Sequence, residues 1–189
     1  MGAYDKIAVA VLNGPSATAV SGDVGQLQAL AADCEKQQIR TRFVPMDYAP
    51  HGPQVESIRD EILTALEGLT PNPALIPIVS GMSGDYLDGT EADASYWYES
   101  LRATVQFTDG IKTLDRDGYG VFVEVSPHTV LTAAIGATLE REDDRPAAVV
   151  TGTLKREDGG AARFLASLAE VHVGGGHVDW KACCPRASA

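Results

Sequence analysis

An α/β fold is predicted from three observations. Short apolar runs, "LIPIV" (Leu75–Val79) and "VFVEV" (Val121–Val125), read as strands. A stretch with helical spacing lies between them, and the alternation suggests an α/β sheet. A loop and helix, "SPHTVLTAAI", follow directly on the second strand, at the carboxyl end where open α/β sheets place ligands.

The elements justify themselves in order. "IAVAVL" (Ile7–Leu12) and "ATAV" (Ala17–Val20) flank the turn-forming "NGPS" and predict a hairpin, with Ser16 as a turn residue. Asp23 and Gln26 have the spacing of a capping box, and Val24, Leu27, Leu30, Ala31 and Cys34 continue at helical spacing. Cys34 on that stripe reads as a small packed residue, because apolar burial suppresses thiolate formation. "RTRFVP" (Arg40–Pro45) returns as a strand. Pro53 suits the first position of a second helix, with Val55, Ile58, Ile62, Ala65, Leu66 and Leu69 on one face and Gly68 at its exit. His51 stands just before that helix, where unpaired amides and the positive end of the macrodipole disfavour imidazolium. A neutral ring there can accept a proton.

Pro77 inside "LIPIV" points to a sheet edge or bulge. The near-continuous apolar "VFVEV" fits a strand covered on both faces. Between them, "ADASYWYESLRATVQFTDGIKTLDRDG" has helical spacing interrupted around "RATVQF". Ser126 and His128 lie in the loop after "VFVEV", a candidate active-site loop. The charged, unpatterned "EREDDRP" (Glu140–Pro146) reads as a solvated connection. Beyond it, "AAVVTGTL" (Ala147–Leu154) reads as a strand and "GAARFLASLAEVHV" as an amphipathic helix ahead of "GGG" and "VDWKA", together an appendage and not a second catalytic domain.

Composition narrows the function classes. With 44% hydrophobic and 22% charged residues in 189, the chain has ordinary globular usage, which argues against disorder. A formal net charge of −11 repels phosphate backbones and anionic lipid, so neither nucleic acid nor membrane is expected as a partner. No apolar run approaches the ~20 residues that span a bilayer, and no leader is visible; a cytoplasmic location is expected. Cys34, Cys183 and Cys184 form no disulfide or zinc spacing, and His172 and His177 are separated by glycines with no ligand partner at a familiar spacing. No metal site is expected.

Taken in order, "NGPSATAVSGD", "VPMDYAPHGPQVESIRDEI", "YWYESLRATVQF", "VFVEVSPHTVL" and "TLKRED" with "FLASLAEVHVGGGHVDW" resemble the acyltransferase domain of modular type I polyketide synthases over nearly the whole chain. The resemblance implies an α/β-hydrolase-like large subdomain with an inserted ferredoxin-like α+β small one and a C-terminal linker. Residues 1–47 would be part of the small subdomain, 48–140 the C-terminal half of the large one, and 141–189 the linker. It also implies ping-pong transfer of a malonyl-type extender, malonyl or methylmalonyl, from coenzyme A to the phosphopantetheine thiol of an acyl carrier protein. A serine is acylated and a histidine takes its proton. No bound cofactor is implied beyond these two thioester carriers.

The histidine of that family lies in Tyr-Ala-Ser-His or His-Ala-Phe-His; here Tyr48, Ala49, Pro50 and His51 occupy the motif, so His51 aligns with the base. Tyr48, Ala49 and Pro50 fall at the selectivity positions. Tyr48 and Ala49 resemble the methylmalonyl form, whereas Pro50 departs from both and removes an amide donor. The family's Gly-His-Ser-x-Gly elbow is absent, and Ser83 in "SGMSGD" lacks its glycines. The expectation is therefore a fragment with a base and no nucleophile, inactive alone. Its expected partners are the carrier protein, the missing N-terminal half and neighbouring synthase domains. The alternative is a non-catalytic structural or interaction module.

Overall fold

The structure, a computed structural model, describes residues 4–140 and 146–183. They form two compact units, one ending at Thr113 and the other starting at Leu114.

In the first unit, β1 (Ile7–Gly14) and β2 (Ala17–Gly22) make the expected antiparallel hairpin, with irregular register between Val9 and Val11 and between Leu12 and Gly14. Asp23 caps α1 (Val24–Lys36) by accepting the Gln26 amide at 3.0 Å. Only this half of the capping box forms. The Gln26 side chain instead accepts from the Lys6 amide and donates to Asp5, tying the helix start to the entry of β1. No residue of α1 is fully buried, and Cys34 is half-buried rather than enclosed.

The expected strand at Arg40–Pro45 does not form. This stretch is exposed and lacks ladder pairing, and a strand exists only where another strand satisfies its amides and carbonyls. The single helix expected after Pro53 is two pieces: a 3₁₀ helix, Pro53–Ile58, followed by α2 (Arg59–Ala65). Three residues per turn instead of 3.6 reset the phase at Arg59. The apolar face therefore splits: Val55 is buried, Ile62, Leu63 and Leu66 are half-buried, and Ala65 and Leu69 are exposed.

Only Ile78–Val79 of "LIPIV" is a strand, β3, paired antiparallel with β4 (Tyr86–Leu87). Pro77 marks its start, and Leu75 and Ile76 lie exposed ahead of it. Asp93 caps α3 (Ala94–Arg102), and α4 (Phe107–Arg116) follows after the predicted interruption. The interruption has a structural use. The Val105 amide donates to Ala10 O and its carbonyl accepts from the Leu12 amide, adding a parallel bridge to β1. Among the described residues of this unit, Ala10, Val55, Tyr98 and Ile111 are the buried large or apolar side chains.

In the second unit, β5 (Val121–Glu124) pairs parallel with β6 (Val149–Gly152), and α5 (Thr132–Leu139) lies between them in the chain. A parallel pair needs such a crossover, and the resulting βαβ order makes the fold α/β. β5 is not covered on both faces: Phe122 is buried, whereas Val123 and Val125 are exposed. α6 (Ala161–Val173) packs on β6, and α7 (Trp180–Cys183) follows the glycines. Two ties hold α6 in place. Glu170 accepts from both Thr151 on β6 and Arg163, and Ser167 donates to the Thr153 carbonyl. Residues 141–145 of the charged connection and Cys184 lie outside the described residues.

Candidate active site

His51 takes a left-handed backbone, φ 57°, in which non-glycine residues are uncommon. Such a conformation persists where its surroundings over-determine it. Three hydrogen bonds do so, beside a closely packed glycine. The buried Ser21 hydroxyl on β2 donates to the Pro50 carbonyl, and the His51 amide donates to Leu101 O at 2.9 Å. The ring Nδ1 lies 2.9 Å from Ala103 O. Gly52 is buried, where an added Cβ would meet Gln54 Oε1 at 3.1 Å, beside Ala8 and Ser21.

A carbonyl oxygen only accepts, so Nδ1 carries the proton and, in the neutral ring, the lone pair sits on Nε2. This revises the physical argument drawn from sequence. The segment behind His51 is a six-residue 3₁₀ helix instead of the start of a long α-helix, and the ring is oriented by the Ala103 carbonyl at the C-cap of α3. Of the neighbouring motif residues, Ala49 and Pro50 are half-buried, while Tyr48 is 63% exposed.

Ser83 is exposed in a tight turn, accepting from the Asp85 amide at 3.2 Å. Ser16 sits in the turn between β1 and β2. Both are turn residues, as their sequence surroundings indicate.

Ser126 and His128 belong to the second unit, in the loop between β5 and α5. Glu124 organises that loop. Its carboxylate accepts from the amides of Val130 at 2.8 Å, Leu131 at 2.9 Å and Thr132 at 3.1 Å, and from the Ser126 hydroxyl at 3.0 Å. Burial, the largest single influence, pushes the Glu124 carboxyl up; these four donors together outweigh it, and its pKa lies below the ordinary glutamate value. Thr153 ties the loop from the other side, receiving from the Ser126 amide and donating to the Ser126 carbonyl.

His128 has the opposite tautomer to His51. Its Nδ1 accepts from the Arg156 amide at 3.3 Å, so the neutral ring carries its proton on Nε2 and presents a donor. Glu124 and the two α3 carbonyls were not singled out from sequence. A carboxylate inside an apolar run was the available sign of the first; backbone acceptors leave none. Among the described residues, no group of three or more His, Cys, Asp and Glu side chains is placed to hold a metal ion.

Residues 1–178 match the acyl transferase domain family. The chain is 49% identical over 176 residues to polyketide synthase GfsA of Streptomyces halstedii, covering 93% of this chain and 2% of that one. It is 41% identical over 184 residues to erythronolide synthase EryA2 of Saccharopolyspora erythraea, covering 97% of this chain and 5% of that one. It thus spans a few per cent of the length of these relatives. The acyltransferase domain from module 8 of the salinomycin polyketide synthase superposes with a TM-score of 0.88 at 48% identity, over 94% of this chain and 41% of that one. A loading acyltransferase from the avermectin modular polyketide synthase gives 0.81 at 37%, over 90% and 52%. With its motifs in order, its α/β fold and a family match over nearly all its length, the chain belongs to the acyl transferase domain family and is similar to the acyltransferase domains of polyketide synthases.

Proposed function

We propose that these residues supply the base side of a polyketide synthase acyltransferase, which moves a malonyl or methylmalonyl unit from coenzyme A to the phosphopantetheine thiol of an acyl carrier protein. The observation that carries this reading is the His51 ring, held through Nδ1 on Ala103 O so that Nε2 takes the proton. In the first half-reaction Nε2 accepts the proton of a serine hydroxyl as the oxygen attacks the thioester. The resulting imidazolium keeps its Nδ1–H on the carbonyl and returns the other proton to the departing coenzyme A thiolate. In the second half, Nε2 takes the carrier thiol's proton and returns it to the serine oxygen as the acyl group leaves.

The 189 residues contain no Gly-His-Ser-x-Gly, and we place the nucleophile outside them, with the isolated chain inactive. Residues 1–47, 48–140 and 141–189 serve as small-subdomain part, large-subdomain part and linker. Tyr48, Ala49 and Pro50 line the extender choice, and the Ser126–His128 loop belongs to the site's periphery. Neighbouring synthase domains and the remainder of the acyltransferase domain are the further partners; nucleic acid and membrane are not. The exposed Phe43, Val44, Leu75 and Val125 favour a second reading, a docking module without chemistry.

The test is mass-spectrometric loading of a carrier protein from malonyl- and methylmalonyl-coenzyme A, by the chain alone and together with an acyltransferase segment bearing the serine elbow. Loading only in the mixture, abolished by His51→Ala, is the expected result. Loading by the chain alone would overturn the placement of the nucleophile, and no loading by a folded mixture would favour the docking module.

A further inference from the structure

We infer that Arg102 is a positioning residue for His51, acting through the two carbonyls that hold the base. The inference rests on the reading of His51 as base. Leu101 O receives the His51 amide and Ala103 O faces the His51 ring, so Arg102 lies between the two acceptors. Its guanidinium reaches back to the segment that His51 begins: Nε and Nη2 donate to Glu56 Oε1 at 2.9 and 2.8 Å. The chain from His51 to Glu56 and the chain from Leu101 to Ala103 are thereby joined at both ends, closing a ring of contacts around the imidazole.

The flanks of that ring are fixed independently. Downstream of Ala103, Val105 is bonded to Ala10 and Leu12 of the first hairpin. Upstream of Arg102, Tyr98 is buried with the Arg59 guanidinium 5.4 Å over its ring. What is left to Arg102 is the very end of α3: the Glu99 carbonyl still accepts from the Ala103 amide, whereas the Leu101 and Ala103 carbonyls face His51 instead of a further helical turn. The Arg102 and Glu56 side chains are 31% and 58% exposed, so the pair adds little to overall stability while deciding a local geometry. The left-handed backbone of His51 makes that local control necessary, because the conformation is unfavourable without its contacts.

The experiment reads the ring itself. Nitrogen-15 spectra of the histidine-labelled 189-residue chain, recorded where the imidazoles are neutral, report the proton on Nδ1 or Nε2 for each residue. Wild-type His51 is expected as the Nδ1–H form and His128 as the Nε2–H form, an internal control in the other unit. In Arg102→Ala the His51 tautomer ratio is expected to fall about five-fold, the equivalent of one ordinary hydrogen bond, with His128 unchanged. Glu56→Ala is expected to do the same from the exposed end, and serves if Arg102→Ala does not fold. Glu56→Gln keeps an Oε1 acceptor and is expected to preserve the ratio. A folded Arg102→Ala or Glu56→Ala protein with an unaltered His51 ratio overturns the inference. Acyl transfer is not read in this experiment, so a failed loading assay would strike the proposed function and leave the assignment of Arg102 to be decided by the spectra.

Discussion

Replacing Glu124 with alanine removes the acceptor of three successive amides and one hydroxyl at the start of α5. Val130 is exposed, and its amide can be rehydrated at little cost. Leu131 and Thr132 are half-buried, and stranding their amides costs roughly 1–1.5 kcal/mol each on the scale of lost hydrogen bonds. The expected loss is therefore about 2–3 kcal/mol, within reach of urea denaturation followed by circular dichroism, with faster amide exchange at Leu131 and Thr132. The carboxylate's lowered pKa gives the pH arm a definite sign. Its contribution is fully present above the ordinary carboxylate range and is lost as pH falls through the still lower folded-state value. The gap between wild type and Glu124→Gln is accordingly expected to shrink on acidification. A cost under ~0.5 kcal/mol for Glu124→Ala, the usual range for a surface change, or a gap that does not vary with pH, would refute the reasoning.

Two further substitutions probe the scaffold of each unit. Gly22 has φ 141°, and a Cβ there would lie 2.3 Å from Lys6 O and 2.7 Å from Ile7 Cα, so Gly22→Ala is expected to cost about 2–3 kcal/mol in chemical denaturation. Thr151→Val removes the hydroxyl that Glu170 accepts, at about 1–2 kcal/mol. That hydroxyl is the first cause of the lowered Glu170 pKa, ahead of Arg163, so the same variant is expected to move the Glu170 titration, followed by carbon-13 spectroscopy, up toward the ordinary value.

Local chemistry made much of the fold legible in the sequence. The "NGPS" turn, the Asp23 cap and the Pro53 helix start depend on neighbours in the chain, and all three occur where the residues indicate. The strands β5 and β6 were legible as apolar runs, but their parallel pairing was not, because the sequence reading put the β6 run in an appendage and nothing local names its partner strand. Arg40–Pro45 was misread because strand propensity describes a residue's fit to a sheet, and whether a partner strand is present is not a local property. The split at Arg59 was missed for a different reason, since 3₁₀ and α spacing differ by a fraction of a residue per turn. His51 was visible through its motif. Its orientation was not, because backbone carbonyls from another helix determine it and every residue type has one.

The span between His51 and its ring acceptor is 52 residues. Closing a loop of that length carries an entropic cost that only the docking of α3 can offset, so the ring's orientation is acquired with tertiary structure and not with the hairpin or the 3₁₀ helix. A nascent or partly unfolded chain holds an ordinary, freely rotating imidazole at this position. The fixed orientation of the ring thus exists only in the finished fold. The tautomer of His51 is consequently a reporter of folding: its appearance during refolding dates the moment at which α3 reaches the turn carrying this histidine.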